Sequence, residues 1–186
     1  MKIEWDSETS KKGGYPHYML KEIYEQPQTI QNALDISEDD ITDLSNMILK
    51  ARQAYLVGVG TTFYVAKFGK YMLANLAGQF LPTVSSDEFM SLANVDSNDL
   101  VLAVSQSGET YDTLSVLRYA KSNKCKTGAI VNVMGSTMSR LVDKVILQGS
   151  GPEISVISTK AAISQMAILV RIGLHLGIKN KNISKQ

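Results

Sequence analysis

Apolar residues in the first part of this chain recur with a helical period. From Pro16 to Leu34, Met19, Ile23, Ile30 and Leu34 fall near helical spacing with Pro27 interrupting, and Ser37 is placed to cap a second stretch, "EDDITDLSNMILKA". Two helices are therefore predicted before any strand. Beyond Arg52 the pattern alternates. Short apolar runs that read as buried strands ("AYLVGVG", "PTVSSD", "DLVLAVSQ", "TGAIVNV", "KVILQGS") are separated by longer segments of helical period, notably "TTFYVAKFGKYMLANLAG" and "ETYDTLSVLRYAKSN". A long apolar helix, "STKAAISQMAILVRIGLHLGI", follows the last strand, with Ser158 positioned to cap it.

Five strands alternating with helices predict a three-layer α/β sandwich around a parallel sheet. The expected strand order is 2-1-3-4-5, the flavodoxin-like arrangement, in which ligands bind outside the carboxyl ends of the first and third strands. Residues 1–15 are polar with a Gly-Gly pair and read as a linker or arm, residues 16–180 as a single domain, and residues 181–186 as a tail.

The loops at the predicted switch point are "GVGTT" and "SQSGET". A helix N-terminus offers unpaired N–H groups and partial positive charge, so an anion can be held there without a formal cation. Ser105, Ser107 and Thr110 would add hydroxyls and Gln106 an amide, while Gly108 lets the backbone approach closely. A single loop of this kind reads more readily as helix capping and turn chemistry, with Ser107 and Thr110 as caps. Two of them side by side favour a phosphate cradle.

Sharper motifs fail. "GVGTTF" begins like a dinucleotide fingerprint, but Phe63 stands at the third glycine position, and Asp87, which could serve a ribose, reads as a turn or cap residue. No G-x-x-x-x-G-K-[ST] motif is present, and Ser107 lies outside any G-x-S-x-G elbow. Glu109 and Glu153 adjoin the polar loops, and both have cap or turn explanations as well as a possible role as base. Lys160 is expected either to approach the ligand or to cover the surface. His175 is expected as a packed or partly exposed imidazole with no catalytic part, and Cys125 as a free thiol near a helix end. Phe63, Tyr64, Phe68 and Met72 follow helical spacing and read as core or interface.

Composition narrows the partners. A chain of 186 residues suits one hydrophobic core, and 19 Lys plus Arg against 18 Asp plus Glu leave no basic footprint for nucleic acid. One cysteine and two histidines make no metal constellation, so neither a metal nor another cofactor is expected. No leader and no run of eighteen apolar residues is evident, which predicts a soluble, cytoplasmic protein. The last helix carries Ile163, Met166, Ile168, Leu169, Ile172, Leu174 and Leu176 on more than one face, which predicts self-association unless the helix is buried in the core.

"GVGTT", "SQSGET" and "EISVISTKA", in that order on those elements, resemble the sugar isomerase (SIS) domain. The flank "GGYPHYMLKEIYEQP" is similar to the start of the isomerase half of the glutamine–fructose-6-phosphate aminotransferases. The resemblance covers residues 4–178. It implies that Thr62, Ser105, Gln106, Ser107 and Thr110 hold the phosphate of a hexose phosphate such as fructose 6-phosphate or glucosamine 6-phosphate. Gly60, Thr61 and Gly108 shape the loops, and Val156 and Ser158 contact the sugar. It also implies a fragment or half-sized relative of an enzyme with two SIS domains behind a glutaminase domain. The catalytic glutamate, lysine and histidine of such an enzyme lie largely in the second copy or a neighbouring subunit, so the chain alone is expected to bind without turning over and to pair with a second SIS domain or as a homodimer. A self-contained sugar phosphate isomerase and a non-catalytic sugar phosphate sensor are the alternatives. The chain departs from the family at Val59, where cysteine is usual, at Thr62, where serine is usual, and at Ser155 and Ile157, where glycine and alanine are common.

Overall fold

The computed structural model describes residues 11–184, so the first ten residues of the predicted arm lie outside the described region. Its sheet comprises β1 (Ala54–Gly58), β2 (Thr83–Ser85), β3 (Leu100–Ser105), β4 (Lys126–Val131) and β5 (Lys144–Leu147). All pairings are parallel and the order is β2-β1-β3-β4-β5, as the alternating pattern predicted. Central β3 is buried at every position, which explains its unbroken apolar run. Because successive side chains point to opposite faces, Leu100, Leu102 and Val104 join Leu56, Ile130 and Ile146 in one core, and Val101 and Ala103 join Val57, Ala129 and Val131 in the other.

The first core is covered by α2 (Gln26–Leu34), α3 (Glu38–Lys50), α4 (Thr61–Ala77) and α8 (Lys160–Lys179). The second lies under α5 (Phe89–Leu92), α6 (Tyr111–Ser122) and α7 (Thr137–Leu141). Cys125, in the turn from α6 to β4, is free and buried, and burial pushes its thiol up to about 12.

Three helices precede the sheet, one more than the sequence pattern indicated, the first being α1 (Tyr18–Tyr24). Pro27 falls in the first turn of α2, where its missing N–H costs nothing and its fixed φ favours the helix, so it opens a helix instead of interrupting one. Ser37 caps α3 as expected, its hydroxyl accepting from the Asp39 N–H at 3.3 Å. The short α5 and α7 went unpredicted because four or five residues carry no period.

Two apolar readings change. The face of α4 toward the core is Val65, Ala66, Gly69, Leu73 and Ala77, mostly small residues that let the helix approach the sheet and α8. Phe63, Phe68 and Met72 are only half-buried and Tyr64 is 66% exposed, so none of the four is core. Lys67 Nζ lies 5.0 Å from the Phe63 ring centre. Helix α8 is long and apolar enough to cross a membrane, yet more than half of it lies inside the domain, against α2, α3 and α4. Ile168, Leu169, Ile172 and Leu176 are spent there, which leaves Leu174 and Ile178 as its exposed large apolar residues.

Candidate functional site

The loop from β1 to α4 closes on itself. Gly60, the residue before the helix, adopts φ 60° and ψ −128°, a conformation that side chains disfavour. Thr62 Oγ1 accepts from the Val59 N–H at 3.1 Å and donates to the Val59 carbonyl at 3.0 Å. Thr62 is therefore buried and used within its own loop, while Thr61 is exposed on the first helical turn.

The adjacent loop, from β3 to α6, is fixed from within and from below. Ser105, buried at the strand end, accepts from the Gly108 N–H at 3.0 Å, and Ser107 Oγ accepts from the Glu109 N–H at 3.1 Å. The Gln106 carbonyl accepts from the Asn132 N–H and the Gly108 carbonyl from the Met138 N–H, tying the loop to the segment after β4. Helix α6 begins at Tyr111, two residues later than the pattern suggested for Glu109. Thr110 occupies the capping position without making a side-chain cap bond, and its hydroxyl lies 3.5 Å from the Ser105 hydroxyl. Glu109 does not serve α6. Its carboxylate accepts from the Thr137 N–H at 2.6 Å at the start of α7, and this bond, with Arg140 nearby, holds it below the usual carboxylate range.

The segment between β5 and α8 supplies the remaining wall, and its capping differs from expectation. Thr159 occupies the capping position of α8 without a side-chain cap bond, and Ser158 does not cap the helix. The Glu153 carboxylate does so, accepting from the Thr159 N–H at 2.8 Å, the Ala161 N–H at 3.1 Å and the Ser158 hydroxyl at 2.9 Å. A carboxylate takes two helix N–H donors where one serine hydroxyl takes fewer. Lys160 neither lines the cleft nor covers the surface. It is 3% exposed, and its ammonium is paired with Glu25 at the junction of α1 and α2.

These three segments enclose a cleft of about 190 Å³ lined by Val59, Thr61, Thr62, Gln106, Ser107, Thr110, Glu153, Ser155, Val156 and Ser158. Seven of the residues singled out in the sequence meet in it. Gly60, Ser105 and Gly108 do not line it, Ser105 and Gly108 being buried and Gly60 exposed, and Val59, Glu153 and Ser155 complete the lining. Among the described residues no lysine, arginine or histidine lines the cleft, and its one carboxylate is already engaged by the α8 N-terminus. His175 lies elsewhere, in a depression between α3 and α8, with Nδ1 2.9 Å from Glu38 Oε1. The cleft thus presents hydroxyls and an amide beside the N-terminus of α6, an arrangement that suits an anion carrying a hydroxylated body.

Residues 47–172, which include all three of these segments, match the SIS domain family. The chain belongs to the SIS domain family. This SIS domain is 44% identical over 177 residues to a glutamine–fructose-6-phosphate aminotransferase (isomerizing) of Methanocaldococcus jannaschii, covering 95% of the chain and 16% of that relative. It is 41% identical over 184 residues to the protein of the same name from Methanococcus maripaludis, covering 98% of the chain and 31% of the relative. Among solved structures it superposes on the C-terminal domain of glucosamine-fructose-6-phosphate aminotransferase from Francisella tularensis with a TM-score of 0.80 and 34% identity, covering 92% of the chain and 50% of that one. The SIS domain is therefore homologous to part of the isomerase half of these aminotransferases, and it spans less than a third of the two full-length relatives.

Proposed function

We propose that this SIS domain binds a hexose phosphate, fructose 6-phosphate or glucosamine 6-phosphate, as part of a cytoplasmic aminotransferase that makes glucosamine 6-phosphate from fructose 6-phosphate and glutamine. The observation that carries this reading is the convergence of residues 59–62, 106–110 and 153–158 on one cleft at the switch point of the sheet. The phosphate sits at the N-terminus of α6, taking hydrogen bonds from Ser107, Thr110 and Gln106. The sugar extends toward Ser155, Val156 and Ser158. Thr62 and Ser105 act one step back, fixing the loops through Val59 and Gly108.

Binding without turnover follows from the same geometry. Moving a proton between sugar carbons needs a base within hydrogen-bond reach. Glu153 is committed to α8, and Glu109 faces α7 as a weakly basic carboxylate. A second SIS domain or another copy of the chain supplies the missing base, and exposed Leu174 and Ile178 are apolar surface available for such a partner. Fructose 6-phosphate incubated with the purified chain, with glucose 6-phosphate read by a coupled dehydrogenase, is expected to show no conversion above background. Robust conversion lost in Glu153→Gln or Glu109→Gln would make the chain a self-contained isomerase instead.

A further inference from the structure

We infer that Glu22, on α1, is a positioning residue that holds the sugar-facing wall of the cleft. Its side chain is buried, with the residue 2% exposed, and its carboxylate accepts from the Ile154 N–H at 2.6 Å, the Ser155 N–H at 3.2 Å and the Ser155 hydroxyl. All these donors belong to the segment that carries Ser155, Val156 and Ser158 into the cleft. A buried carboxylate is costly unless hydrogen-bonded, so Glu22 and residues 154–155 fix one another in place.

Elsewhere the segment is held by Asn32 and Asn132, which donate to the Gly149 and Gly151 carbonyls, and by Glu153, which accepts from Ser158 and Thr159; residues 154–155 are held by Glu22. It has no helix or strand between β5 and α8, Val156 is fully exposed, and Ile154 and Ile157 are exposed as well, so no apolar anchor pulls it inward. At its far end Lys160 pairs with Glu25, three residues after Glu22. Two acids from the α1–α2 region thus bond the chain at residues 154–155 and at Lys160. Helix α1 is equally dependent. At seven residues it is too short to stand alone, His17 gives it no side-chain cap, and Met19, Leu20, Ile23 and Tyr24 remain exposed. Docking of α1 and ordering of the sugar wall are therefore one event, and by linkage a ligand that fixes the wall also fixes α1.

The inference rests on the sugar phosphate reading of the cleft and divides it into two parts. The phosphate end belongs to residues 105–110, none of which bonds Glu22, whereas the sugar end depends on it. Glucosamine 6-phosphate and inorganic phosphate are the probes. In Glu22→Ala the affinity for glucosamine 6-phosphate is expected to fall about tenfold, with affinity for inorganic phosphate unchanged. Glu22→Gln can still accept from both N–H groups and donate to the Ser155 hydroxyl, and is expected to keep most of the preference. Glucosamine 6-phosphate should also slow hydrogen exchange in residues 18–24 of the wild-type chain, and less so in Glu22→Ala. Full retention of the preference by Glu22→Ala, or an equal loss for both probes, would overturn the positioning role while leaving the cleft assignment standing. A wild-type chain that does not prefer glucosamine 6-phosphate over inorganic phosphate would overturn both.

Discussion

Replacing Gly108 by alanine is expected to destabilise the chain by about 3 kcal/mol and to weaken hexose phosphate binding about a hundredfold. Gly108 has φ +67°, the left-handed region that L side chains rarely adopt. A Cβ there would overlap the Ser136 hydroxyl and lie 2.7 Å from Ser136 Cβ. Neither partner is free to move. Ser136 is buried and caps α7, and Gly108 is held through its N–H to Ser105 and through its carbonyl to Met138. Alanine must therefore rotate the peptide groups on either side, which displaces Ser107 and Thr110 in the cleft wall. For a chain of this length that loss of stability corresponds to a melting temperature lower by roughly 10 °C. Thermal melts and titrations on the same preparation check both parts; an unchanged melting temperature with wild-type affinity would show that the loop is not built on this glycine.

Ser107→Ala is expected to separate binding from folding. Ser107 lines the cleft, and its only described hydrogen bond is the one accepted from the Glu109 N–H. Its hydroxyl proton is thus left to donate to the phosphate. A hydrogen bond to a charged group is worth roughly 1.5–3 kcal/mol, so affinity should fall about tenfold to a hundredfold while the melting temperature moves by only about 2 °C. The contrast with Gly108→Ala, which affects both quantities, distinguishes a ligand contact from a scaffold residue. A folded Ser107→Ala chain with unaltered affinity would place the phosphate elsewhere.

The sheet and its switch point were legible in the sequence because the strands are short apolar runs, the first three ending in Gly58, Ser85 and Ser105, and because the ligand-facing loops sit at two of those ends. What stayed hidden depends on partners distant in sequence. Lys160 looks like a surface or ligand cation until the fold brings Glu25 to it across 135 positions, and Glu22 is indistinguishable from a solvated helix glutamate until Ile154 and Ser155 arrive. Pro27 is ambiguous for another reason, since proline ends one helix and begins another with the same fixed φ. At the last helix Ser158 satisfied the local rule for a cap, but Glu153, six residues before Thr159, reaches back with a stronger acceptor. The aromatics of α4 obeyed the helical period yet fell to the outer side, because close approach to the sheet and α8 selects small residues for the inner one.

Calorimetric titration of the wild-type chain with glucosamine 6-phosphate and with unphosphorylated glucosamine tests the phosphate cradle most directly. Helix N–H groups and hydroxyls around α6 are expected to favour the phosphate ester by about a hundredfold or more. Equal affinity for the two would contradict the assignment of the cleft.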